Sequence, residues 1–214
     1  MRISLSEGTW DESAADIVAI AVPSGRTRLG RTLGRIEAVT GKGSVKPLAS
    51  DERFEGKSSQ TLKVSAGGST KARWLLLVGI GDEKDAEAVA WRMGHAVASL
   101  ARAQKSAALE LPEVTPGSVR AATQGLIGGS YRYTEYKSDK DAGQTLGSAV
   151  ILGAAKGTRG LSGAVRAGKA IAESVNFARD LVNAPPNDLN PVTLARAASR
   201  ESRKLSLSCR VWNR

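Results

Sequence analysis

Two glycine-bearing turns, one histidine, one cysteine and two runs of arginine are the parts of this sequence whose chemistry could do more than hold a fold. Gly79, Ile80 and Gly81 follow an apolar run and precede a helical pattern, the place where bare backbone N–H groups can approach a phosphate. The third glycine of a dinucleotide fingerprint is absent, and Asp82 and Glu83 would repel an anion, so a plain strand-to-helix turn is favoured. The run from Gly153 to Gly160 (GAAKGTRG) contains Lys156 but lacks the Gly-Lys-Ser/Thr ending of a phosphate-binding loop and reads as a connection. His95 lies in an amphipathic helical pattern without a Cys or Ser partner in a recognisable motif, which suits a surface or packing residue better than a catalyst. Cys209 has no second cysteine to pair with, which fits a reducing compartment, and its alternating context predicts a small core residue.

The cations carry a sharper signal. The formal net charge is +10, with 22 Lys and Arg against 17 Asp and Glu in residues 1–160, and 9 against 4 in residues 161–214. Such a surplus favours polyanions. Arg28, Arg31 and Arg35 fall together on one helix face, and Arg196, Arg200 and Arg203 follow helical spacing near the end of the chain. These six are the candidate nucleic-acid-binding residues. The plainer alternatives are solvated helix faces and a basic chain balanced by an acidic partner domain. Tyr131, Tyr133 and Tyr136, with Arg132 and Lys137, could stack bases, but the same spacing suits an aromatic segment packing on a domain interface. Carboxylates offer less: past residue 160 only Glu173, Asp180, Asp188 and Glu201 occur, dispersed along two helical patterns and a corner. A two-metal hydrolase needs ligands that converge within a few ångströms, so no catalytic and no metal-binding residue is assigned.

The elements that must position these groups alternate. Arg2–Leu5 reads as a short edge strand, and Asp16–Val22 and Trp74–Val78 as apolar strands buried on both faces. Gln60–Ser65, Ala107–Leu111 and Ser148–Leu152 are further strands. Helices are expected over Thr27–Thr40, Lys84–Arg102 and Val119–Ile127, the last terminated by Gly128 and Gly129. Residues 41–57 read as a loop with a short helical turn, and Gly67–Ser69 as a turn. A long helix then carries Ala164, Gly168, Ile171, Val175, Ala178 and Val182 on one face. Pro185 and Pro186 stop it near Asn183, and Asn190 with Pro191 caps and starts another. Ser206–Trp212 alternates with Leu207, Cys209 and Val211 on one side, predicting a final strand. The fold class is therefore α/β: a mixed sheet sandwiched between helices, followed by linker helices and the first strand of a truncated second domain.

Three stretches, in order, resemble the leucyl aminopeptidase family, also called cytosol aminopeptidases. Ala178–Pro191 (ARDLVNAPPNDLNP) resembles the segment joining that family's N-terminal and catalytic domains. Gln124–Lys137 (QGLIGGSYRYTEYK) resembles a glycine-aromatic segment of its N-terminal domain, and Leu75–Glu83 (LLLVGIGDE) its central strand and turn. The resemblance implies an N-terminal α/β domain over residues 1–160 and, over 161–214, linker helices with the truncated start of a catalytic domain. For a complete member it implies a hexameric, cytosolic exopeptidase that uses two divalent ions, manganese or zinc, to remove N-terminal residues, often leucine. The metal ligands of that family lie downstream of the linker, so this chain is expected to be inactive alone. The alternative is a basic module that binds DNA or a partner without catalysis, DNA binding being known in some members of the family.

The longest apolar runs, 17–22 and 74–78, fall far short of the roughly 20 residues that cross a bilayer. Four carboxylates precede the first of them, unlike a secretory leader. A cytoplasmic location without membrane contact is expected.

Overall fold

The computed structural model describes all residues except 69, 102, 139–144, 156–157 and 213–214. Ser69 of the predicted turn, Arg102 at the expected helix end and Lys156 of the glycine connection lie outside the described residues. The chain divides into two compact units, Met1–Glu173 and Ser174–Arg214.

The first unit is built on strand β2 (Ile17–Pro23), which follows β1 (Arg2–Leu5). Its residues are apolar on both sides of the pleat, and such a strand is stable only between two covering layers. Helix α1 (Arg26–Thr40), the short α2 (Lys46–Asp51) and strand β3 (Thr61–Ser65) come next, then β4 (Trp74–Gly81) and α3 (Ala86–Leu100). Strand β5 (Ser106–Glu110), α4 (Pro116–Ser130), β6 (Ser148–Leu152) and the start of α5 (Leu161–Asn183) complete it. The six strands form one mixed sheet in the order β1-β6-β5-β2-β4-β3, with β3 alone antiparallel to its neighbour. Val18, Ile20, Leu75 and Leu77 face the layer of α1 and α2, whereas Ile17, Ala19, Leu76 and Val78 face α3 and α4. The α/β sandwich expected from the sequence is the observed architecture.

Two polar anchors fix this arrangement. At the start of β2 the Asp16 carboxylate accepts the N–H groups of Lys105 and Ser106, both at 2.9 Å, and the Ser106 hydroxyl at 3.1 Å, which sets β5 beside β2. Burial raises the Asp16 carboxyl, but those donors together hold it below its ordinary value. Near the end of α1, buried Glu37 accepts the N–H groups of Val45 and Lys46 at 3.2 and 2.8 Å. It thereby satisfies donors at the start of α2 that the short helix leaves orphaned.

Four expectations need correction. Gly128 and Gly129 do not terminate α4, which continues to Ser130. A Cβ on Gly129 would lie 2.6 Å from the His95 carbonyl oxygen, so that glycine serves a close helix crossing rather than a stop. On α5, Ala164 and Gly168 are buried as expected, but Ile171, Val175 and Val182 are exposed, and Leu161 and Ala172 complete the buried stripe instead. Ser206–Trp212 forms no strand. Alternation specifies a strand only where a neighbour supplies the ladder, and no described residue pairs with this stretch in a sheet. Cys209, in consequence, is exposed rather than a core residue.

In the second unit, α5 ends at Asn183 ahead of the double proline, and α6 (Pro191–Lys204) begins at the expected cap. The Asn190 side chain accepts from the Val192 and Thr193 N–H groups at 3.1 Å, and the Asn190 N–H donates to the Thr193 hydroxyl at 2.8 Å. Asn190→Ala is expected to remove about 1 kcal/mol from α6. Amide exchange of Val192 and Thr193 should speed up roughly fivefold, while amides of β2 stay unchanged; equal rates in both proteins would show that the cap does not hold the helix.

Candidate functional site

The parallel strands β2, β4 and β5 all end at the edge of the sheet where α1 starts, and that edge gathers Ser24, Asp82 and Glu110 beneath the α1 arginines. Arg28 pairs with Asp82, which also accepts the Ser24 hydroxyl at 3.1 Å. The Arg28 guanidinium, and then the Ser24 hydroxyl, hold the exposed Asp82 carboxyl below its ordinary value. Arg35 makes a two-pronged pair with Glu110, at 3.1 and 2.7 Å. Arg31, between them and exposed, has no side-chain partner among the described residues. The first arginine stripe is thus two-thirds occupied by carboxylates from strand ends. A nucleic-acid phosphate would have to displace them.

A crevice of about 330 Å³ lies where the chain leaves β2 toward one face and β5 toward the other, lined by Ala21, Thr32, Ile80 and Leu111 as well as the Arg35–Glu110 pair. Crevices at such crossover points are the usual ligand sites of open α/β sheets. Here the two charged groups that could orient a ligand satisfy each other.

The Gly79–Gly81 turn is equally occupied. The Gly79 N–H donates to the Gln60 carbonyl at 2.8 Å and the Gly81 N–H to the Gly56 carbonyl at 2.9 Å. A Cβ on Gly79 would lie 2.1 Å from the Lys57 carbonyl oxygen. Glycine is required because backbone 56–60 crosses here, which leaves no nest of free N–H groups for a phosphate and agrees with the plain-turn reading.

His95 is exposed and stacks on Trp91 one turn earlier on α3, with ring centroids 5.1 Å apart. Tyr131 and Tyr133 are half-buried, Tyr133 and Tyr136 contact at 6.1 Å, and the Arg132 guanidinium donates to the Tyr131 carbonyl at 2.5 Å. Glu173 pairs with Lys169 and Glu201 with Lys204. Among the described residues no three His, Cys, Asp or Glu side chains converge to hold a metal ion. The donor set does not fit the two divalent ions that the family resemblance implies.

In the second unit Arg196, Arg200 and Arg203 are exposed along α6, and none has a side-chain partner among the described residues. Arg196 and Arg203 border an open groove of about 650 Å³ whose apolar lining includes Val192, Ala195, Val211 and Trp212. Arg210 lies over the Trp212 ring, 4.2 Å from its centroid.

Sequence reasoning missed Glu37, Asp16 and the α3–α4 crossing. Two of the three left a trace: Glu37 stands four residues after Leu33 in an apolar stripe, and Gly125 and Gly129 have the four-residue spacing of a small-residue contact face.

Comparison with known proteins places these observations. Residues 29–140 match the model of the cytosol aminopeptidase family, N-terminal domain. The probable cytosol aminopeptidase of Aquifex aeolicus is 34% identical over 174 residues, covering 78% of this chain and 34% of that protein. The probable cytosol aminopeptidase of Microcystis aeruginosa is 32% identical over 209 residues, covering 95% of this chain and 41% of that one. A mutant of tomato leucine aminopeptidase shares the fold with a TM-score of 0.82 at 22% identity, over 96% of this chain and 43% of its own. The bottromycin maturation enzyme BotP in complex with Mn superposes with a TM-score of 0.63 at 23% identity, over 94% and 39%. The chain spans between a third and about two-fifths of the length of these curated relatives.

Proposed function

Because the chain belongs to the cytosol aminopeptidase family and carries its N-terminal domain, we propose that it is the non-catalytic part of a metal-dependent aminopeptidase that removes N-terminal residues, often leucine, from peptides. The observation that carries this reading is the match of residues 29–140 to that family's N-terminal domain; of the side chains able in principle to ligate a metal, His95 lies on α3, Glu173 on α5 and Glu201 on α6, and no three converge among the described residues. Water activation and carbonyl polarisation by a metal pair need several ligands in one place. The ions would then be held by other polypeptide. BotP, described in complex with Mn, supports manganese as one of the metals for the whole enzyme. This chain's contribution is a rigid sheet with buried anchors, together with the linker helices α5 and α6.

A hexameric assembly and a cytoplasmic setting belong to the same reading. The cytoplasmic setting is supported by the names of the cytosol aminopeptidase relatives. The test is hydrolysis of a leucine anilide by the purified chain with added manganese. No turnover above buffer is expected; hydrolysis that co-purifies with the chain through further columns would overturn the reading.

A further inference from the structure

The crevice at the crossover point between β2 and β5 sets a pair of opposite charges beside apolar walls. Ile80 and Leu111, both buried, and Pro112 supply the apolar lining, and Arg35 of α1 and Glu110 of β5 supply the charges. Its volume of about 330 Å³ suits a small ligand. Arg35 and Glu110 have no other side-chain partner among the described residues. Their side chains are 51% and 24% exposed, so solvent reaches the pair and the long Arg35 side chain can swing aside at little cost. The Thr32 hydroxyl, also in the lining, donates to the Arg28 carbonyl at 3.1 Å, and its oxygen can still accept.

The mutual pairing of these two groups narrows what can enter. An anion drawn to Arg35 would meet the Glu110 carboxylate beside it and leave that largely buried group without its counter-ion. A cation drawn to Glu110 would strand Arg35 in the same way. A ligand that carries both charges replaces the pair and leaves neither group alone. The guanidinium nitrogens lie only 3.1 and 2.7 Å from the carboxylate oxygens, so the two charges of such a ligand must sit close together, as an ammonium and a carboxylate on one carbon do. A peptide, whose charged ends are several bonds apart, fits less well. The walls formed by Ile80, Leu111 and Pro112 then suit an aliphatic side chain.

We propose that the crevice between β2 and β5 binds a free α-amino acid with an aliphatic side chain, the ligand carboxylate taking the Arg35 guanidinium and the ligand ammonium taking the Glu110 carboxylate. The Thr32 oxygen is a second acceptor for the ammonium. Binding exchanges one direct ion pair for two charge-assisted contacts and removes the ligand's apolar side chain from water.

The test is titration of the 214-residue chain with L-leucine, followed by nitrogen–proton correlation NMR. The amides of Arg35, Ile80 and Leu111 are expected to shift saturably, with a roughly millimolar dissociation constant, as befits so small a ligand, while those of α6 stay in place. N-acetyl-leucine keeps only the carboxylate and leucinamide only the ammonium. Each should bind at least about tenfold more weakly than leucine, because each strands one protein charge. Glycine, which has no side chain to bury, should also bind about tenfold more weakly. Arg35→Gln and Glu110→Gln should each weaken leucine binding by about tenfold or more. Both variants should melt close to the parent, since the pair is partly exposed; should either not fold, the ligand series on the parent decides alone. No saturable shift up to the solubility limit of leucine overturns the proposal. So does N-acetyl-leucine or leucinamide binding as well as leucine, glycine binding as well as leucine, or leucine binding unchanged in the folded variants. The crevice lies wholly within the first unit and its ligand is argued from its own side chains, so peptidase activity in the lone chain would overturn the non-catalytic reading and leave this result untouched.

Discussion

Gly125→Ala is expected to destabilise the first unit by about 3 kcal/mol, while Gly128→Ala, three residues along the same helix, leaves it unchanged or more stable by up to about 1 kcal/mol. The substitution is the same and its helix propensity gain is the same. Only the surroundings differ. A Cβ at 125 would lie 2.1 Å from the Trp91 carbonyl oxygen and 2.9 Å from the His95 nitrogen, both backbone atoms of α3 that no rotamer change can move aside. A Cβ at 128 meets nothing within 4 Å. To admit the methyl at 125, α4 would have to lift away from α3, loosening apolar contacts around Met93, Ala122 and Leu126. For a unit of this size the melting temperature of Gly125→Ala should fall by roughly 6–12 °C. Equal melting temperatures for the two variants would mean that the helices do not cross at this glycine.

The same position shows what the sequence could and could not disclose. Strands β2 and β4 were legible because a run such as Ile17–Val22 has no polar side to turn toward water, so its environment is written into its composition. The stop at Pro185–Pro186 and the Asn190 cap were legible because both act through local backbone chemistry. Gly129 misled because glycine weakens a helix locally yet permits a close crossing, and which effect wins depends on a partner helix some 30 residues away in sequence. Ser206–Trp212 misled for the same reason, since its alternation needs a neighbouring strand. At the candidate site, helical spacing correctly put Arg28, Arg31 and Arg35 on an exposed face, but not the carboxylates beneath two of them. Asp82 and Glu110 lie 54 and 75 residues from those arginines, and only the parallel sheet brings them together. The α6 arginines, which no carboxylate pairs among the described residues, are exposed as their helical spacing implied.

Replacing Glu37 with alanine should cost about 2–3 kcal/mol near neutral pH, and the loss should shrink in acid. The carboxylate is almost fully buried and accepts the Val45 and Lys46 N–H groups, while its pair with the Lys46 ammonium at 3.1 Å is half-exposed and adds little. Truncation therefore acts mainly by stranding two donors at the start of α2, of which the Val45 N–H lies where water cannot readily replace the lost oxygen. The Lys46 N–H holds the Glu37 carboxyl below its ordinary value against the opposing effect of burial, with the Lys46 ammonium and the Val45 N–H adding to it. A carboxyl whose pKa is lower folded than unfolded binds fewer protons in the native state. Its contribution is thus fully present above the unfolded glutamate value of about 4.3 and is lost as pH falls through the folded value. Urea titrations of the parent and Glu37→Ala should differ most at pH 7 and converge below about pH 4. Glu37→Gln keeps one acceptor oxygen but no charge, so it should lie between the two at pH 7 and show less of the acid dependence. A gap between parent and Glu37→Ala that stays constant from pH 7 to about pH 3 would mean that the charge on Glu37 does not hold α2 in place.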